Sequence, residues 1–93
     1  MATRTVLTRT YAEIAADITA LKIVQCPDAP GGPGVFNAIE LVVAADTPAA
    51  TVAGIQLRRG ETITSANLAD LGASGKLYAR AAPGSTAGVV LTL

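Results

Sequence analysis

Glycine and proline interrupt this chain before any apolar run reaches helical length. "CPDAPGGPG", Cys26 to Gly34, packs three Pro and three Gly into nine residues. Neither a helix nor a strand interior accommodates that density, because Pro has no N–H and Gly costs backbone entropy to order. "ADTPAA", "RRGE" and "PGSTAG" punctuate the rest of the chain. Between them, apolar residues recur at every second position. "FNAIELVVAA" sets Ile39, Leu41 and Val43 on one face and Glu40 and Val42 on the other. "TVAGIQLRR" aligns Ala53, Ile55 and Leu57. "KLYARAA" turns Leu77, Ala79 and Ala81 inward and Lys76, Tyr78 and Arg80 outward, and "VVLTL" aligns Val89, Leu91 and Leu93. "TITSANL" continues as a strand after the turn at Gly60. Short strands between turns at roughly 8–12-residue spacing predict an all-β fold, a small antiparallel β-sandwich or barrel of jelly-roll or immunoglobulin-like type.

A chain of 93 residues fits one domain. The expected division is an extended N-terminal arm over 1–10 and a single β domain over 11–93. "ATRTVLTRT", residues 2–10, reads almost the same in both directions around Val6-Leu7. Thr favours strands, but only Val6 and Leu7 are large and apolar, so the segment has little to bury on its own domain. It is expected to be ordered by a neighbouring protein or by a sheet edge. Residues 11–17 fit two structures. Thr10 with Glu13 makes a capping box for a short helix, and Ile14, Ala16 and Ile18 fit strand alternation. A strand is expected over 18–25, with a bulge near Ala20 where the alternation changes phase.

Composition narrows the function. Seven Lys and Arg balance seven Asp and Glu, which argues against binding to nucleic acid, which needs a basic patch, or to an anionic membrane surface. No run of about 18 apolar residues is present to cross a bilayer as a helix, and the first ten residues lack the apolar core of a signal peptide. There is no His, which removes the commonest general base and metal ligand and leaves Ser65, Ser74 and Ser85 without an activating partner. The acids are spread along the chain with no close pair and no calcium-loop spacing. Cys26 is the single cysteine and reads as a small buried residue. No catalytic, cofactor or metal residue is assigned. A small enzyme or ligand-binding barrel is the least favoured class, because His is absent and aromatics are few.

Those aromatics are Tyr11, Phe36 and Tyr78, so Val, Ile, Leu and Ala must fill a thin core. A half-apolar chain with a thin core is expected to bury part of its surface against other chains. The candidate protein-contact residues are Thr3, Arg4, Val6, Leu7 and Arg9 in the arm, Arg58, Arg59 and Glu61 at a turn, and Lys76, Tyr78 and Arg80 on one strand face. Tyr and Arg are favoured at interface hot spots.

The C-terminal part carries a pattern made by Ala53-Gly54-Ile55, Leu57, Gly60-Glu61, Leu77-Tyr78-Ala79, Ala81-Ala82, Gly84 and Val89-Val90. With it the chain resembles small β-rich virion proteins of tailed bacteriophages. "AIELVVAADTPAATV" is similar to the strand–turn–strand that precedes this pattern, so the resemblance covers residues 38–93. It implies two hairpins turning at Gly60 and Gly84, and a non-enzymatic structural role in the virion. Capsid decoration, or cement, is the role expected first, and a fibre, tail or head-tail connector component is the alternative. The implied partners are the major capsid protein or other virion proteins and further copies of the chain, a trimer fitting shell symmetry, with neither nucleic acid nor membrane. The implied location is the capsid surface after synthesis in the host cytoplasm. The arm is expected to add a strand to the capsid protein.

Overall fold

The computed structural model describes residues 3–18, 23–27, 37–64, 67, 75–85 and 88–92. In chain order the strands are β1 (Thr3–Val6), β2 (Ala12–Ala15), β3 (Ile23–Gln25), β4 (Ala38–Ala44), β5 (Ile55–Arg58), β6 (Thr62–Thr64), β7 (Lys76–Ala81) and β8 (Val89–Thr92). They form two four-stranded sheets, the first ordered β1-β8-β3-β6 and the second β2-β7-β4-β5. Every pairing is antiparallel. Among the described strands, β4 and β5 are the sole sheet neighbours that follow one another in sequence, and every other connection changes sheet.

One cluster of buried side chains is fed by both sheets: Val24, Ile63 and Val90 from the first, and Ile39, Leu41, Leu57, Leu77 and Ala79 from the second. The predicted faces of β4 and β7 hold, with Ile39 opposite Ala81, Leu41 opposite Ala79 and Val43 opposite Leu77. β8 has the other phase. Val90 joins the core, while Leu91 is half-buried. Three successive apolar residues, 89–91, leave alternation unable to choose. The register chooses, by setting Thr92 opposite the fully buried Val24.

The hairpins expected at Gly60 and Gly84 are not formed, because β5 and β6 belong to different sheets, as do β7 and β8. The turns themselves are present. Glu61 N–H donates to Arg58 O at 2.9 Å and Ser85 N–H to Ala82 O at 3.1 Å. Gly60 has φ +87° and Gly84 +83°, and no non-Gly residue has positive φ among the described residues. Positive φ at the third residue alone makes each a type II turn. Such turns splay the strands they join, whereas two-residue hairpins need the primed types. Here the splay carries the chain from one sheet to the other.

The segment expected as an arm is an edge strand of the chain's own first sheet, pairing with β8 from Thr3↔Thr92 to Val6↔Val89. It then steps between sheets. Leu7 N–H donates to Gly88 O at 2.6 Å, and Thr8 O accepts from Ala81 N–H at 2.7 Å. The near-palindrome is thus split, its first half in the first sheet and its second half leading into β2. Residues 12–15 are strand, with a register shift between Glu13 and Ala15, so the capping-box helix does not form. The bulge near Ala20 and most of the Cys26–Gly34 loop lie outside the described residues. "TVAGIQLRR" is strand only from Ile55, and Ala53 is exposed rather than core-facing.

Two contacts tie the sheets together. The fully buried Asn37, at the entry to β4, accepts from Val89 N–H at 2.8 Å and donates to Val89 O at 3.2 Å and Pro27 O at 2.5 Å. Gly88 lies so close to Ala81 that an added Cβ would sit 2.5 Å from the Ala81 Cβ. Gly88→Ala is therefore expected to destabilise the fold by about 1–3 kcal/mol through overpacking, read as a lower urea midpoint. Thr64→Ala, at an exposed position, should stay within about 0.5 kcal/mol.

Candidate functional site

β4 and β7 bring opposite charges together on the face of the second sheet that points away from the core. Their register places Glu40 directly across from Arg80, the geometry in which cross-strand ion pairs stabilise a sheet. Arg80 Nε and Nη2 both lie 2.5 Å from Glu40 Oε1. The two side chains are only 4% and 12% exposed, Glu40 the more deeply buried. Tyr11, just before β2, covers them, with Arg80 Cζ 4.2 Å from its ring centroid, a cation–π contact. The Tyr11 hydroxyl lies 2.7 Å from Val52 O and 3.1 Å from Glu40 Oε1, and shares its proton between them.

The segment from Ala50 to Gly54 is drawn across this cluster as a strap. Arg80 Nη1 donates to Ala50 O at 2.7 Å and Nη2 to Val52 O at 3.3 Å. Gly54 N–H donates to Glu40 Oε2 at 3.1 Å. A side chain at 54 would meet Leu41 O at 2.3 Å, so Gly is required for this close approach. The hydrogen bonds of the strap explain why 51–54 do not continue β5.

Burial opposes the charge of Glu40, but the Gly54 N–H, the Arg80 guanidinium and the Tyr11 hydroxyl outweigh it and hold the carboxyl below its ordinary range. Burial, then the hydrogen bond to Glu40 and its charge, push Tyr11 from 10 up to about 12 against the influence of Arg80. Glu40 stays ionised and Tyr11 stays protonated near neutral pH. Neither group is poised for general acid–base catalysis, which needs a pKa near the working pH. The cluster is built to hold structure. Among the described residues, no group of three or more His, Cys, Asp or Glu side chains converges as a metal site.

No family model, curated protein or solved structure matches this chain. Its surface is accordingly read from the residues alone.

The candidate contact residues fall into two groups. Thr3, Arg4 and Val6 are exposed along β1, Val6 by 76%. Arg58 and Arg59 are exposed at their turn. Glu61 is exposed there too, but its Oε1 accepts from Arg58 N–H at 2.7 Å and braces the turn. Lys76 is partly exposed and lies 3.5 Å from Glu13, a solvent-facing pair worth under about 1 kcal/mol. The other candidates are engaged within the chain, Arg9 while still exposed. Leu7 is in the core. Arg9 donates to the carbonyls of Ala82 and Ser85, bracing the turn before β8. Tyr78 is 3% exposed, and Arg80 is committed to Glu40. Both project from the predicted face of β7, which is covered at these two positions. Glu40 and Tyr11, the partners of Arg80, were missed as a cluster. An acid within the apolar run "AIELVVA" was the available signal, and its partner emerges only once β4 and β7 are in register.

Arg80→Ala, which strands the buried Glu40 carboxylate, is expected to cost about 3–5 kcal/mol in urea unfolding. The pH dependence has two arms. Glu40 binds its proton more weakly folded than unfolded, so its stabilisation is complete well above the unfolded value of about 4.3 and is lost as pH falls through the folded value. Tyr11 holds its proton more tightly when folded. Its contribution is complete below pH 10 and is lost as pH rises toward about 12, a change on the order of 2–3 kcal/mol. Glu40→Gln should flatten the acid arm and Tyr11→Phe the alkaline arm in denaturation series across pH.

Proposed function

We propose that this chain is a jelly-roll virion protein of a tailed bacteriophage, a decoration or cement protein that binds and stabilises the head shell. On this reading the two sheets face one another as a sandwich. The observation that carries the proposal is the strand order, β1-β8-β3-β6 beside β2-β7-β4-β5. A jelly roll of eight strands has this interleaved order, which results when a chain folded back on itself is wrapped around a barrel, and the architecture recurs in viral shell proteins. The phage-like pattern in residues 38–93 supports the same reading independently of the fold.

The side chains support a structural role over a chemical one. The most elaborate polar cluster among the described residues is sealed beneath the strap, with its acid ionised and its phenol protonated. Of the candidate contact residues, the exposed ones lie along β1, at Arg9 and at the turn 58–61. Net charge is zero, which suits a protein that associates closely with others. Many copies on a repeating shell would sum individually weak contacts through multivalency.

The test is quantitative mass spectrometry of purified particles of the phage that encodes the chain, with rebinding of recombinant protein to undecorated shells. Decoration predicts a copy number on the scale of the major capsid protein, and saturable rebinding. A copy number matching a single ring would move the assignment to a connector or fibre. Absence from particles, with turnover or tight capture of a metabolite by the purified protein, would overturn the virion assignment.

A further inference from the structure

We infer that β1 is a self-pairing edge: two copies of this chain join by antiparallel pairing of Thr3–Val6, with Arg4 of one opposite Val6 of the other. The inference goes beyond the virion reading and does not depend on it.

The sheets end in four edges, β1 and β6 in the first and β2 and β5 in the second. Three of them are blunted. β2 carries the register shift between Glu13 and Ala15, β6 is only three residues long, and on β5 the Arg58 N–H is capped by the Glu61 carboxylate. Bulges, shortness and charge all protect sheet edges from further pairing. β1 keeps a regular register over all four of its residues, contains no Pro and carries a single charge, Arg4.

The direction of its backbone groups follows from one hydrogen bond. Leu7 N–H donates to Gly88 O, its opposite residue when the β1–β8 register is continued. In an antiparallel ladder such residues alternate with residues whose groups point the other way. Thr3, Thr5 and Leu7 therefore turn toward β8, and Arg4 and Val6 offer their N–H and C=O groups to the free edge.

Only some registers let a second β1 use those groups. Residues directly opposite must lie on the same face. Thr5 lies opposite the core residue Val90, while Arg4 and Val6 lie opposite Leu91 and Val89 on the outer face. Pairing Arg4 with Arg4 of the second copy sets like charges together, which is destabilising. Pairing Arg4 with Val6 of the second copy avoids this. It makes two hydrogen-bonded pairs about a twofold axis through Thr5, and lays the Arg4 alkyl chain on Val6. That side chain is 76% exposed in the single chain. The arrangement is isologous and closed, joining two four-stranded sheets into one. A net charge of zero adds no long-range repulsion between copies.

Sedimentation equilibrium over a range of protein concentration tests this, with far-ultraviolet circular dichroism to verify that each variant keeps the fold. A reversible dimer is expected. Val6→Lys opposes Arg4 of the second copy with a like charge and should weaken the dimer by about fivefold. Val6→Glu opposes it with a carboxylate and should strengthen the dimer by a similar factor. Thr5→Cys places two thiols at the closely spaced non-hydrogen-bonded position, with Cα atoms about 4.5 Å apart and within disulfide reach, so oxidation should give a covalent dimer. Thr3→Cys should not. A chain that stays monomeric throughout overturns the inference. So does a dimer in which both Val6 substitutions act in the same direction, or in which Thr5→Cys does not cross-link.

Discussion

The ion pair between Glu40 and Arg80 organises the second sheet. Its central strands meet there, β2 enters there through Tyr11, and the strap from Ala50 to Gly54 is fastened there by both charged groups. Removing two charges from water is costly, and their attraction offsets that cost only when further hydrogen bonds satisfy the remaining polar sites. Here they do. Glu40 receives bonds on both oxygens, and Arg80 also reaches two strap carbonyls. Among the described residues no buried side-chain polar atom lacks a partner. An apolar pair could match the pair's contribution to stability, but it would not fix where the strap lies. Directionality is what the charges add.

The sequence made the all-β class legible, together with the turns at Gly60 and Gly84 and the inward faces of β4 and β7, because those features depend on local alternation and on backbone freedom at single glycines. It did not reveal the sheet switching. A type II turn and a hairpin turn differ in dihedral angles that "RRGE" and "APGS" do not spell out. Nor did it reveal that Tyr78 and Arg80 are covered. Alternation tells which side of a strand a residue faces, and only tertiary packing, for Arg80 that of Tyr11 and the strap, tells whether that side meets water. The phase of β8 was illegible for a similar reason, since Val89, Val90 and Leu91 fit either face and the choice belongs to Val24 across the ladder. Arg4 and Arg9 occupy mirrored places in "TRTVLTRT". One lies at an exposed sheet edge, and the other anchors the turn that delivers β8.

These assignments reshape the contact surface. A reading from side-chain type ranks Tyr78 and Arg80 first, yet Tyr78 is buried and Arg80 is bound to Glu40, and the exposed candidates are plainer: a threonine, a valine and arginines at a sheet edge and a turn. For a protein proposed to sit on a repeating lattice, modest contacts of this kind suffice, because repetition multiplies them. The rigidity of the domain then matters more than the strength of any one contact, and Asn37 and the close Gly88–Ala81 approach supply it by tying the sheets at backbone distance.

The position of β1 next to β8 also constrains how the molecule comes into being. A nascent chain emerging from the ribosome has β1 without its sheet partner until residues 89–92 are made, because β8 lies between β1 and β3. Distant pairings of this kind slow folding, because loop closure must precede the contacts that reward it. Among the described strands, β4 and β5 can pair, and β3 can pair with β6, before β7 and β8 are made, whereas β1 and β2 must wait for those last two strands.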